Sequence, residues 1–107
     1  MNARILVAVL AAAFALPVAA ASGDAEAGKK KSAPCAACHG PEGVSASPEF
    51  PNLAGQYADY LQTALSHYKN GKRKNPIMTA QVANLTPKDM ADLAAYFSSQ
   101  KQLVVKR

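Results

Sequence analysis

Tryptophan is absent, aromatic residues make up 7% of the chain, and there are only two cysteines. Two cysteines cannot supply the dense cross-linking that small secreted scaffolds use in place of a core. Charged residues are 18% and hydrophobic residues 50%, a balance that excludes an intrinsically disordered chain. No stretch alternates polar and apolar residues over the length of a strand, so no sheet is expected. At 107 residues there is room for one domain and little room for a large catalytic one.

One long apolar run is present, at the N-terminus. Met1-Asn2-Ala3-Arg4 is a short basic start, Ile5–Leu16 is unbroken apolar sequence, and Pro17 is followed by Val18-Ala19-Ala20-Ala21. This is the layout of a secretory signal, expected to be cleaved after Ala20 or Ala21. An uncleaved anchor is the alternative, but Ile5–Ala21 lies at the short end of what spans a bilayer. The expected division is thus a signal over residues 1–21 and one domain over residues 22–107. So short a chain buries only about 60% of its unfolded surface and needs something to complete its core. Outside the cytoplasm two cysteines would ordinarily form a disulfide.

The remaining sequence reads as short helices with long connections. Asp24 is a candidate N-cap for a helix ending in Lys29-Lys30-Lys31, and Pro34 predicts a break just before Cys35, with Ala33 outside the helix. Gly28 either permits close helix packing near Tyr96 and Phe97 or merely weakens its helix. Gly40–Gly55 is a loop rich in proline and small polar residues, long enough to wrap around something. Gln56–Asn70 carries Tyr57, Tyr60, Leu61, Ala64, Leu65 and Tyr68 on one helical stripe, with the tyrosines expected in the core, and Gly71 as its stop. Thr79–Ala83 is a candidate helical turn. Thr86-Pro87-Lys88-Asp89 starts a helix with Met90, Leu93, Ala94 and Phe97 on its apolar face. The tail from Lys101 is expected to fray. The fold class is all-α.

Cys35-Ala36-Ala37-Cys38-His39 is a C-x-x-C-H motif, the attachment signal for c-type haem. Two thiols about one helical turn apart can reach the two vinyl groups on one edge of a porphyrin. The histidine that follows offers a neutral nitrogen to the iron. A plain disulfide leaves His39 unexplained. A thioredoxin-like pair lacks a preceding strand. A tetrahedral zinc site needs four ligands, and adjacent Cys38 and His39 would struggle to bind one ion together.

With Pro51-Asn52-Leu53-Ala54-Gly55-Gln56-Tyr57, Asn75-Pro76-Ile77-Met78 and Leu85-Thr86 to Ala95-Tyr96-Phe97 in order after that motif, and Gly-Asp-Ala-Glu-Ala-Gly-Lys-Lys before it, the chain resembles the small soluble bacterial class I cytochromes c. The resemblance runs from about Gly23 to Ser98. It implies three main helices and long loops around one covalently bound haem, with the N- and C-terminal helices crossing. It implies Met78 as second axial ligand beside His39, while Met90 is expected in the core and Met1 in the signal. It also implies that the Pro51 carbonyl accepts from His39 Nδ1; the alternative is that Pro51 only shapes its loop. His67 is expected to have no iron role.

The implied function is that of a non-enzymatic, periplasmic, monomeric electron shuttle with an Fe(II)/Fe(III) haem c and no stable membrane insertion after processing. A haem sensor and a subunit of a larger redox complex are the rival readings. The chain carries a net charge of +5. Lys29-Lys30-Lys31 and the cluster Lys69, Lys72, Arg73 and Lys74 could steer acidic redox partners or serve solubility alone. Nucleic acid is not an expected partner for an exported protein.

Overall fold

The structure, a computed structural model, describes residues 7–9, 11–12 and 23–101. Most of the expected signal over residues 1–21 and the tail beyond Lys101 lie outside the described residues. The described residues form five helices and no strand: α1 Ala25–Lys31, α2 Ala33–His39, α3 Ala58–Asn70, α4 Pro76–Val82 and α5 Pro87–Ser98.

Local chemistry accounts for the helix ends. Asp24 Oδ1 accepts from the amides of Glu26 and Ala27 at the start of α1. Thr86 and Asp89 form a reciprocal capping box at the start of α5, with bonds of 3.1 and 3.0 Å. Gly71 stops α3 at φ 82°, a left-handed conformation that costs glycine little.

Three expectations need correction. The break before Cys35 falls at Ser32, and Ala33 is helical. Proline is tolerated in a first turn, where its missing N–H leaves no intrahelical bond unmade, so Pro34 opens α2 rather than interrupting it. The fourth helix begins at Pro76 rather than Thr79, because Asn75 caps it. The tyrosines of the α3 stripe are not core residues: Tyr57 is 78% exposed and Tyr60 51%, whereas Tyr96 on α5 is buried.

The first and last of the described helices make the main packing interface, α1 against α5, and α3 also packs on α5. The close approach of α1 rests on Gly28. A Cβ there would stand 2.0 Å from the Asp92 carbonyl oxygen and 2.8 Å from Tyr96 Cβ. Asp92 itself is fully buried and ties the helices together. Its carboxylate accepts from the Asp24 amide at 2.8 Å, from Lys31 Nζ at 2.5 Å and from Lys88 Nζ at 3.0 Å. The Lys31 ammonium is the main reason its carboxyl is held well below the usual range, with the Asp24 amide and Lys88 adding to it. Lys31 also pairs with Asp89 at 2.9 Å.

The core is small. Leu61, Leu93, Ala94, Tyr96 and Phe97 form its buried cluster, with Cys35, Leu53, Leu65 and Leu85 partly buried against it. The long loop is organised rather than loose. Tyr96 Oη donates to the Pro41 carbonyl at 2.6 Å, and the Leu53 amide donates to the Gly43 carbonyl at 2.7 Å. Gly28→Ala would drive a methyl group into the α5 backbone. It is expected to cost about 2 kcal/mol or more in a denaturant titration of the mature protein, as overpacking against an immobile neighbour does. An unchanged midpoint would mean that α1 does not lie this close to α5.

Candidate haem site

A cavity of about 430 Å³ opens on one side of this core. Its walls include Leu53, Leu61, Leu65, Leu93, Ala94 and Phe97, so the open side of the core is also the inner face of the cavity. α2 contributes Cys35, Cys38 and His39, and α4 contributes Ile77, Met78 and Gln81. Residues far apart in sequence thus meet around one apolar space.

The position of Cys35 and Cys38 follows from α2, which sets them nearly one turn apart. Both are free, half-buried thiols. Burial against the core pushes the Cys35 thiol above its usual range. His39 closes the helix and is 7% exposed. Its Nδ1 lies 2.8 Å from the Pro51 carbonyl oxygen, and Phe50 meets its ring edge-on with centroids 6.5 Å apart. A carbonyl can only accept, so Nδ1 carries a proton, and in the neutral ring the second nitrogen is the one that offers a lone pair.

Met78 is placed by its neighbour. Asn75 Oδ1 accepts from the amides of Ile77 at 3.0 Å and Met78 at 3.1 Å, which fixes the first turn of α4. Met78 is half-buried and lines the cavity. Met90 does not line it. It is 5% exposed on α5, with Ser66 Oγ 3.9 Å from its sulfur. His67 also stays away from the cavity.

Sequence reasoning missed two features. The Asn75 cap was signalled by an asparagine directly before a proline. Arg73 enters the cavity wall, and no local pattern distinguishes it from the lysines beside it. The two basic clusters are also less free than their charge suggests. Lys31 is committed to Asp89 and Asp92, and Lys69 donates to the Leu85 carbonyl.

Among the described residues no group of three or more His, Cys, Asp or Glu side chains is arranged to hold a metal ion directly. The donors around the cavity instead fit a metal carried within an organic ligand. They are two thiols, an imidazole with one nitrogen lone pair, a thioether and apolar walls, and this set fits a c-type haem.

The chain belongs to the cytochrome c family, whose model matches residues 25–101. Cytochrome c4 of Pseudomonas aeruginosa is 46% identical over 101 residues, covering 94% of this chain and 50% of that protein. Cytochrome c-554(548) of Halomonas halodenitrificans is 45% identical over 83 residues, covering 75% of this chain and 100% of that protein. The crystal structure of reduced recombinant cytochrome c4 from Pseudomonas stutzeri matches with a TM-score of 0.71 and 48% identity, over 74% of this chain and 46% of that one. The chain therefore spans about half the length of the cytochrome c4 relatives it matches. The fold is the all-α class I cytochrome c fold, and the family's cofactor is covalently bound haem c, one for the single Cys-x-x-Cys-His motif.

The cap at Asn75 can be tested by its effect on stability. Asn75→Ala is expected to cost about 1 kcal/mol, the usual value of a lost N-cap, whereas Asn75→Asp keeps the acceptor and most of the stability. Thermal unfolding of the two variants checks this. Equal midpoints for Asn75→Ala and the parent would contradict the capping role.

Proposed function

We propose that this chain is a periplasmic carrier of single electrons and not an enzyme. In this reading Cys35 and Cys38 hold the haem through thioether bonds, and His39 and Met78 are its axial ligands. The observation that carries it is the meeting of Cys35, Cys38, His39 and Met78 around one apolar cavity, with His39 Nδ1 satisfied by Pro51. When bound, the haem supplies a one-electron Fe(III)/Fe(II) couple.

The chain's own residues then have distinct tasks. The Pro51 carbonyl fixes the tautomer and ring plane of His39, which leaves the other nitrogen for iron and makes it a better donor. Met78 offers a soft sulfur that favours the ferrous state and raises the potential. Leu61, Leu65, Leu93 and Phe97 keep water from the cavity's inner face, which limits reorganisation on electron transfer. Two protein ligands leave no open position for a substrate, which supports a carrier over a catalyst or a gas sensor.

The signal-like start at residues 1–21 supports export, and among the described residues no helix is long and apolar enough to cross a membrane. Redox proteins with acidic docking surfaces are the proposed partners of a monomer. Lys72 and Lys74 remain exposed for that purpose, while Lys31 is held inside its own ion pairs.

The oxidised protein is expected to show the weak sulfur-to-iron charge-transfer band in the far red, and the ferrous protein to react barely with carbon monoxide. Met78→Ala should abolish the band, lower the potential and open the iron to carbon monoxide. Met90→Leu should keep the band and cost at most about 1.5 kcal/mol, as for a volume-conserving core exchange. Loss of the band in Met90→Leu but not Met78→Ala would overturn the ligand assignment. Rapid carbon monoxide binding by the unaltered protein would favour a sensor.

A further inference from the structure

An axial imidazole has to be held in two respects, at its far nitrogen and in the plane of its ring. The Pro51 carbonyl meets the first for His39, at 2.8 Å from Nδ1. It meets the second poorly, because a carbonyl oxygen accepts over a broad range of directions and tolerates some turning of the donor ring. The ring of Phe50 supplies the missing restraint. It stands against the imidazole at an interplanar angle of 68°, with centroids 6.5 Å apart, within the range of edge-to-face aromatic pairs.

The loop is built to present that ring. Across residues 48–52 Phe50 alone is half-buried, and its neighbours on both sides are exposed. It lines the cavity together with His39. Its backbone amide donates to the Ser47 carbonyl at 3.2 Å, and Ser45 Oγ donates to the same carbonyl at 2.7 Å. The Ser45 amide in turn donates to Asn52 Oδ1 at 2.7 Å, which closes residues 45–52 on themselves. Phe50 therefore projects from a hydrogen-bonded loop with its backbone held on either side. Its ring is a fixed stop for the imidazole rather than a passing contact.

We infer that Phe50 is a positioning residue whose ring fixes the plane of the His39 imidazole. The inference rests on the haem reading above. In a low-spin ferric haem the plane of an axial imidazole helps decide which iron d orbital holds the unpaired electron. It thereby helps decide how spin spreads over the porphyrin. Partners outside the ligand set commonly fix a histidine's orientation by hydrogen bonds. Here an aromatic edge shares that task with the Pro51 carbonyl. A ligand plane that cannot turn as the iron changes oxidation state adds little to the reorganisation of a one-electron step.

The test compares the mature haem-bearing protein with its Phe50→Leu, Phe50→Met and Phe50→Tyr variants. Electron paramagnetic resonance of the ferric form gives the g values, and proton magnetic resonance gives the spread of the haem methyl shifts. The Met78 methyl resonance of the ferrous form is the control for the other ligand. Phe50→Leu and Phe50→Met keep apolar bulk without a flat ring. Both are expected to shift the g values and change the methyl spread while keeping the sulfur-to-iron band and the Met78 resonance. Phe50→Tyr keeps the ring and should retain the parent spectra. If Phe50→Leu fails to mature, Phe50→Met decides the matter. Parent spectra in a haem-bearing leucine or methionine variant would overturn the assignment even if its thermal midpoint falls, because a lower midpoint alone marks a ring that only packs. A tyrosine variant that shifts as far as the leucine one would overturn it too. So would a shift accompanied by a displaced Met78 resonance, which assigns the effect to the other ligand. Absence of covalent haem from the unaltered protein would defeat the haem reading itself, a separate failure visible in its mass.

Discussion

The structure depends on a shortage of apolar volume. Its buried cluster is drawn from α3 and α5 alone, and several of the same side chains form the wall of the cavity. A core with one face left open is not self-sufficient in so short a chain. A flat, apolar, covalently held haem in the cavity would resolve this, because Leu61, Leu93 and Phe97 line that space. In this reading the cofactor is at once the redox centre and the missing part of the interior.

The scaffold around that opening is fixed by polar contacts of unusual economy. Gly28 lets α1 lie against the α5 backbone, and the single buried carboxylate of Asp92 gathers the Asp24 amide, Lys31 and Lys88. A buried charge is costly unless its partners satisfy it, and here each oxygen is occupied. The arrangement holds α1 and α5 together, and none of these residues lines the cavity. Residues 40–57 are then free to run around the cavity, tied back by Tyr96 to Pro41 and by Pro51 to His39.

Much of this was legible in the residues themselves. The C-x-x-C-H motif, the capping box at Thr86 and Asp89, the Gly71 stop and the assignment of Met90 to the core follow from short-range rules. What local rules could not carry was set by distant partners. The Lys31–Asp92 pair joins residues 61 positions apart, so Lys31 read as one base in a surface run. The α3 stripe was correct in period, but its N-terminal tyrosines flank the cavity or solvent rather than the core, a distinction periodicity does not make. Pro34 disfavours helix at the preceding residue, yet its place in a first turn makes it a helix starter. The resemblance to class I cytochromes c gave Met78 and Pro51 meaning that spacing alone would not have supplied.

The claim that the haem completes the core is tested most directly by removing its attachment. The exported chain bearing Cys35→Ala and Cys38→Ala is compared with its parent by intact mass and far-ultraviolet circular dichroism. The account expects the parent to carry the mass of one haem and a cooperative helical transition, and the double variant to lack covalent haem and most of its helical signal. A double variant that is free of haem yet keeps the parent's helicity and unfolds cooperatively would contradict it.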